Sequence, residues 1–127
     1  MEKEFIYTGK ATAPTSYYTQ AVKVGNTVYL AGLCGDDPKT GNIMGNGDMT
    51  VEAKYAMENL RYTIEAAGGT LEDIVKVNVF VTDLSKFPAF NSVYKSYFPG
   101  KPPARIAMEV KGLADGASLE LDAIAVL

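Results

Sequence analysis

The alternation of hydrophobic and polar positions predicts two helices and five strands. From Val51 to Ala67, apolar residues recur at the spacing of one helix face. These residues are Ala53, Ala56, Met57, Leu60, Ile64 and Ala67. Asp48 or Thr50 is a plausible cap for this helix, and Gly68-Gly69 ends it. A second helix is predicted over residues 86–98, where aromatic residues form a broad apolar side.

Shorter segments have the pattern of β strands. Val22–Val24 and Thr27–Leu30 flank Gly25-Asn26, which predicts a hairpin with a two-residue turn. A third strand has its β-branched face at Val75, Val77, Val79 and Val81. Two last strands, over residues 102–110 and 120–125, contain charged side chains and are joined by a short loop.

The order of elements is therefore a hairpin, a helix, a strand, a helix and two strands. Two helices cannot cover both faces of so wide a sheet, so we expect an α+β fold with both helices on one face. The opposite face would then be solvated or would meet another subunit.

Length and composition indicate one domain over residues 1–127. The single cysteine, Cys34, permits no intrachain disulfide, and without a histidine to activate it we expect it to be inert. The N-terminal residues have no secretion signal pattern, and no segment approaches about 18 consecutive apolar residues. We therefore expect a cytoplasmic protein that does not contact a membrane.

Charge and residue types exclude several classes of chemistry. The net charge is −3 and no basic run occurs, so we do not expect nucleic acid to be a partner. Histidine is absent, which excludes Ser-His-Asp and Cys-His pairs and zinc sites built on His and Cys. The Gly- and Asp-rich loop at residues 35–42 lacks the spacing of a calcium loop. We expect no metal and no cofactor.

Arg105 and Glu120 are the first candidates for chemistry, because they lie on the two charged strands. If those strands pair as antiparallel neighbours, the two side chains could hold an anion and orient a water molecule. They could equally form a plain ion pair on a wet sheet face. Two interpretations are likewise open for Tyr17-Tyr18 and Asn91, which could be surface residues or could contact a ligand.

Short fragments in a fixed order extend over nearly the whole chain. They are Tyr18-Thr19-Gln20-Ala21-Val22, Ala31-Gly32, Asp37-Pro38-Lys39-Thr40-Gly41, Asn59-Leu60, Ala66-Ala67-Gly68-Gly69, Val79-Phe80-Val81-Thr82-Asp83, Asn91-Ser92-Val93-Tyr94, Pro103-Ala104-Arg105 and Leu119-Glu120-Leu121-Asp122-Ala123-Ile124-Ala125. Each fragment alone is weak, but their order and spacing together resemble the RidA/YjgF family of small imine deaminases, historically also described as L-PSP-type endoribonucleases.

The resemblance implies a chorismate-mutase-like fold with a mixed sheet. It also implies a homotrimer in which the open sheet faces form a central β-barrel and three pockets lie between subunits. By the same resemblance, Arg105 binds the substrate carboxylate and Glu120 positions a water molecule. The remaining substrate-binding positions that it implies are Tyr18, Gly32, Asn91 and Ala107.

Some positions depart from the family pattern. Ser16-Tyr17 replaces a common Gly-Pro, and Ala31-Gly32-Leu33 replaces Ser-Gly-Gln near the pocket. Glu52 replaces a common glutamine, and Ala107 replaces a common cysteine, so only the backbone of Ala107 could participate. These departures concern the range of substrates more than the type of reaction.

The function that this resemblance implies is hydrolysis of reactive 2-enamine and 2-imino acids, such as 2-iminobutanoate and 2-iminopropanoate, to 2-keto acids and ammonia. An imine carbon is already electrophilic, so a protein without histidine or metal can perform the reaction by positioning and acid–base help. The alternatives are a non-catalytic metabolite-binding or regulatory trimer, an RNA-cleaving translation inhibitor, and an interaction protein whose charged strands join subunits.

Overall fold

A six-stranded mixed sheet forms the centre of the structure, a computed structural model that describes residues 1–127. The strands are β1 (Lys3–Ile6), β2 (Ala21–Val24), β3 (Thr27–Cys34), β4 (Ile74–Val81), β5 (Ala104–Glu109) and β6 (Leu119–Val126). The helices are α1 (Met49–Ala66) and α2 (Phe87–Tyr97). Neither is long and apolar enough to cross a membrane. The strand order is β1-β2-β3-β6-β4-β5, and only β4 and β5 run parallel.

Both helices lie on one face of this sheet, as the element order predicts. The predicted apolar positions of α1 from Ala53 to Ile64 are fully buried against the core face of the strands. Asp48 caps the helix by accepting a hydrogen bond from the Thr50 N–H at 2.9 Å. At the other end Gly68 adopts φ = +94°, and the Gly69 N–H donates to the Ile64 carbonyl at 3.0 Å. This Schellman ending explains why two glycines follow the helix.

The predicted hairpin is confirmed, because β2 and β3 pair through a turn at Gly25-Asn26. Strand β1 was not predicted. Its side chains are exposed except for Ile6, so the segment has no hydrophobic alternation to reveal it. It is held at the sheet edge by antiparallel pairing with β2.

The predicted valine face of β4 is correct at three of its four positions. Val77, Val79 and Val81 are fully buried, but Val75 is 47% exposed. The pairing of β4 with β6 shifts between Ile74 and Lys76, so one residue is inserted there and Ile74 is buried in place of Val75. Such a bulge reverses the face that the preceding side chains occupy.

The expectation that the two charged strands pair with each other is wrong. Strand β4 lies between them, parallel to β5 and antiparallel to β6. Arg105 is therefore opposite Val77, whereas Glu120 is opposite Phe80. A cross-strand ion pair between Arg105 and Glu120 is excluded by this arrangement.

The face of the sheet that points away from the helices is partly apolar. Glu120 lies on this face, because the flanking residues Leu119 and Leu121 are buried on the helix side. Exposed apolar side chains on the same open face are Phe5, Tyr29, Ile106 and Met108. The two helices thus cover one face of the sheet, and the other face is exposed.

Candidate active site

A cavity of about 410 Å³ lies where the end of β3 meets the start of β6. Gly32 and Cys34 line it from β3, and Glu120 lines it from β6. The segment before β2 contributes Tyr18, which is 46% exposed. Three of the predicted site residues, Tyr18, Gly32 and Glu120, are therefore brought together in one cavity.

A bulge in β3 shapes the wall beside Glu120. Leu30 is opposite Ala123 and Leu33 is opposite Leu121, so two residues of β3, Ala31 and Gly32, face a single residue of β6. The extra residue allows both leucines to remain buried. A Cβ at Gly32 would lie 2.7 Å from Oε2 of Glu120, so only glycine leaves this oxygen its space.

Glu120 also contacts the thiol of Cys34, its direct partner in the pairing of β3 with β6. Cys34 Sγ donates a hydrogen bond to Oε1 of Glu120 at 3.4 Å. Burial raises the pKa of the Cys34 thiol, and the negative charge of Glu120 raises it further. This environment agrees with the prediction that Cys34 is inert. The contact between Cys34 and Glu120 was not predicted.

The segment that leads to Tyr18 is held by a buried glutamine. Gln20 accepts a hydrogen bond from the Thr8 N–H at 2.7 Å and donates to the carbonyl of Thr12 at 2.9 Å. Tyr17, in contrast, points fully into solvent. Gln20 belongs to the Tyr18–Val22 fragment, which was the only sequence signal for its importance.

The cavity is acidic. Asp36, Asp115 and Glu120 line it, and no lysine or arginine does. Burial raises the pKa of Asp36 above its ordinary value, and repulsion from Asp115 adds to this effect. No group of three or more His, Cys, Asp and Glu side chains could hold a metal ion.

Arg105 lies elsewhere, on the helix side of the edge strand β5. Its Nη1 donates to Oδ1 of Asn91 on α2 at 2.8 Å. The guanidinium carbon lies 4.8 Å from the ring centroid of Tyr94 and 5.1 Å from that of Phe87. Both ion pairs of the chain belong to Arg61, so the charge of Arg105 has no carboxylate partner. It lines an open groove of about 600 Å³ together with Asn91.

Tyr94 forms the base of this arginine site. Its hydroxyl is buried and has no hydrogen-bond partner within the protomer. Burial raises the pKa of Tyr94 to about 12, an effect that the nearby Arg105 partly opposes. Ala107, two residues after Arg105, is half-buried on the same side of β5 and can offer only backbone groups.

The predicted site residues are therefore divided between two places. Arg105 and Asn91 lie on the helix side of the sheet edge, whereas Glu120, Gly32 and Tyr18 surround a cavity on the open side. One small ligand cannot contact Arg105 and Glu120 within a single protomer. The condition under which both would lie close together in one chain, direct pairing of their strands, is not met because β4 separates the two strands.

Glu52, on α1, stabilises the chain next to the site. The sequence did not reveal this structural role. Glu52 is almost fully buried, and its Oε2 accepts a hydrogen bond from the Ser118 N–H at 2.8 Å. Its other oxygen accepts from the Ser118 hydroxyl. The carboxylate thus fixes the chain two residues before Glu120.

Comparison with known proteins agrees with this architecture. The family model described as Endoribonuclease L-PSP matches residues 8–127. A RutC family protein of Pyrococcus abyssi is 44% identical over 125 residues, which cover 98% of each chain. A Rattus norvegicus protein named 2-iminobutanoate/2-iminopropanoate deaminase is 40% identical over 124 residues, covering 98% of this chain and 90% of its own. The crystal structure of RidA from an Antarctic Psychrobacter species superposes with a TM-score of 0.93 at 42% identity, covering 98% of this chain and 99% of that chain.

The fold is thus that of a small α+β protein with one mixed sheet and two helices on one face, as in the solved RidA structure. The chain belongs to the RidA/YjgF family. The resemblance drawn from the sequence fragments is confirmed.

Proposed function

We propose that this protein hydrolyses 2-imino acids, with their enamine tautomers, in a site formed by two protomers. One protomer supplies Arg105, and its neighbour supplies the cavity that contains Glu120. The substrates are small, such as 2-iminobutanoate and 2-iminopropanoate, and the products are the 2-keto acid and ammonia. The name of the rat relative supports this class of substrate.

The observation that supports the proposal most strongly is the complementary charge of the two separated sites. Arg105 is an exposed cation without a carboxylate partner, whereas the Glu120 cavity contains three carboxylates and no cation. A guanidinium would bind the carboxylate of an imino acid in a bidentate manner. Joining the two sites across an interface gives the substrate an anchor for its carboxylate and a base for its water.

Uncovered surfaces of the protomer support such an interface. The open sheet face exposes Tyr29, Ile106 and Met108, and the backbone of β5 has hydrogen-bonding groups free along its outer edge. Exposed apolar patches and unpaired strand edges are typical of subunit contacts. We therefore include in the proposal a homotrimer in which the open faces form a central barrel.

The reaction needs no group beyond those of the two protomers. Arg105 holds the substrate carboxylate, while backbone groups at Gly32 and Ala107 and the side chain of Tyr18 border the reacting end. Glu120 accepts a proton from water as the water oxygen bonds to the imine carbon. Glu120 passes this proton to the imine nitrogen, which gives a carbinolamine. The nitrogen then takes up the proton of the carbinolamine hydroxyl group, the C–N bond breaks as the C=O bond of the 2-keto acid forms, and ammonia leaves. Such proton transfer contributes roughly 10²–10⁴-fold, and positioning adds to it.

The test is an imine-trapping assay. A threonine dehydratase generates 2-iminobutanoate, semicarbazide traps what remains, and addition of the protein should reduce the trapped imine. Arg105→Ala should lower kcat/KM about 10- to 100-fold, because a charged hydrogen-bonded contact to substrate is lost. Arg61→Ala is the matched control, since Arg61 lies on α1 in exposed ion pairs. Equal activity of Arg105→Ala and the wild type would contradict the proposal.

A non-catalytic metabolite-binding role is the second candidate. Ala31 and Leu33 leave the β3 bulge without side-chain hydrogen-bonding groups beside the cavity. Calorimetric binding of a 2-keto acid together with background imine hydrolysis would favour this role. RNA cleavage is less well supported, because the cavity is acidic and the chain has no histidine.

A further inference from the structure

The two carboxylate oxygens of Glu120 have different surroundings. Oε1 accepts the hydrogen bond from the Cys34 thiol at 3.4 Å. Oε2 lies above Gly32, at 2.7 Å from the place where a Cβ would be, so no side chain of that residue covers it. One oxygen is therefore occupied by a donor of the protein, and the other is left for a ligand in the cavity.

The position of the thiol is fixed by the backbone on either side. Cys34 is directly opposite Glu120 in the ladder between β3 and β6, so both side chains leave the sheet on the same face. The buried side chain of Asn59 donates to the Cys34 carbonyl at 3.1 Å and to the Asp36 carbonyl at 2.9 Å. These contacts anchor the residue that donates to Glu120.

We propose that Cys34 is a positioning residue for the deaminase reaction, an inference that rests on the proposed function. Its S–H group holds Oε1 of Glu120, so that Oε2 points into the cavity and receives the proton of the attacking water. A carboxylate rotates easily about its terminal bond, and a donor on one oxygen limits that rotation. The thiol does not touch the substrate and forms no covalent bond with it.

The thiol must keep its proton to act in this way, and its surroundings ensure this. The charged groups that face it are Glu120 on β6, Asp36 in the following loop and Glu52 on α1, all of them carboxylates. Burial together with these negative charges raises the pKa of Cys34. A thiolate that could act as a nucleophile is therefore disfavoured.

The kinetic test compares two substitutions at this position. Cys34→Ala should lower kcat for imine hydrolysis about three- to tenfold with little change in KM, because Arg105 still binds the substrate carboxylate. Cys34→Ser keeps a donor and should retain most of the wild-type kcat. A kcat of Cys34→Ala equal to that of the wild type, or equal losses in both variants, would overturn the inference.

A second measurement does not depend on activity. Because Cys34 is the only cysteine, the pH dependence of its alkylation by iodoacetamide, which reacts with the thiolate, reports the titration of this thiol without interference from the eight tyrosines. Glu120→Gln should move this titration to lower pH, since one of the negative charges that raise the pKa is removed. An unchanged titration in Glu120→Gln would overturn the inference while the wild type remained an active deaminase. A wild type without imine hydrolysis would overturn the proposed function and the positioning role with it.

Discussion

Asp36 is a carboxylate that the fold keeps in a partly buried place at the cavity. Burial raises its pKa, and repulsion from Asp115 and Asp37 adds to this. The protonated form is therefore favoured by folding. The resulting stability is fully present below the ordinary pKa of 3.8 and is lost as the pH rises through the higher folded value. At pH 7 the charged form of Asp36 destabilises the folded state.

Asp36→Asn should consequently raise the melting temperature at pH 7 by roughly 1–2 °C, a small gain because solvent screens the half-buried group. The substituted amide keeps the oxygen that accepts from Asn59. The gain should vanish as the pH falls below about 4, where the wild-type carboxyl is protonated. Asp37→Asn, which relieves repulsion but not burial, should give a smaller gain. A pH-independent difference between Asp36→Asn and the wild type would contradict this account.

The residues of the proposed site differ in how far the sequence could reveal them. Arg105 and Glu120 stand out because charges interrupt apolar strands, and the sequence fragments point to Tyr18, Gly32 and Asn91. The contact between Cys34 and Glu120 could not be predicted, since it depends on the register of two strands 86 residues apart in the chain. The role of Gly32 depends likewise on a bulge that the hydrophobic pattern does not show.

Hydrogen bonds to Glu52 of α1 hold Ser118, the residue just before β6. Both oxygens of this buried carboxylate accept hydrogen bonds from Ser118, one from its backbone and one from its hydroxyl. A buried donor without a partner is costly, so the contact between α1 and the start of β6 depends on the Glu52 side chain. Glu120 follows Ser118 by two residues, so the same hydrogen bonds help to determine where the candidate base lies.

Glu52→Ala should reduce the free energy of unfolding by about 3 kcal/mol, since it leaves the Ser118 N–H unsatisfied and opens a cavity. Glu52→Gln, which has nearly the same shape and keeps one acceptor oxygen, should lose only about 1 kcal/mol. Ser118→Ala is the control for the hydroxyl alone. Urea unfolding of the three variants gives these values. Equal losses for Glu52→Ala and Glu52→Gln would show that the acceptor oxygens are unimportant.

Elements defined by local patterns were predicted well, and their long-range arrangement was not. The helices follow from a 3.6-residue period with a cap and a glycine stop, all of them local signals. The strands that neighbour β5 and β6 depend on a parallel crossover through α2, and the residue pattern of neither strand indicates this crossover. Val75 was misplaced because an inserted residue shifts the alternation, and alternation is the only evidence that a strand pattern provides.

The molecule as a whole has the surface features that the proposed assembly requires. Its helices cover one sheet face, its open face exposes aromatic and aliphatic side chains, and its edge strand bears Arg105. The cation and the acidic cavity lie on opposite sides of the sheet. The central claim is therefore that each working site takes its guanidinium from one protomer and its carboxylate from the next.

Mixing two variants of low activity tests this claim most directly. Arg105→Ala and Glu120→Gln are each assayed alone for 2-iminobutanoate hydrolysis, then unfolded together in equal amounts, refolded and assayed again. In randomly mixed oligomers about one quarter of the sites would combine an intact Arg105 with an intact Glu120 from different chains. We expect the mixture to recover about a quarter of the wild-type activity per site. Activity no greater than the mean of the two variants, in a mixture shown to contain hybrid oligomers, would contradict a site shared between protomers.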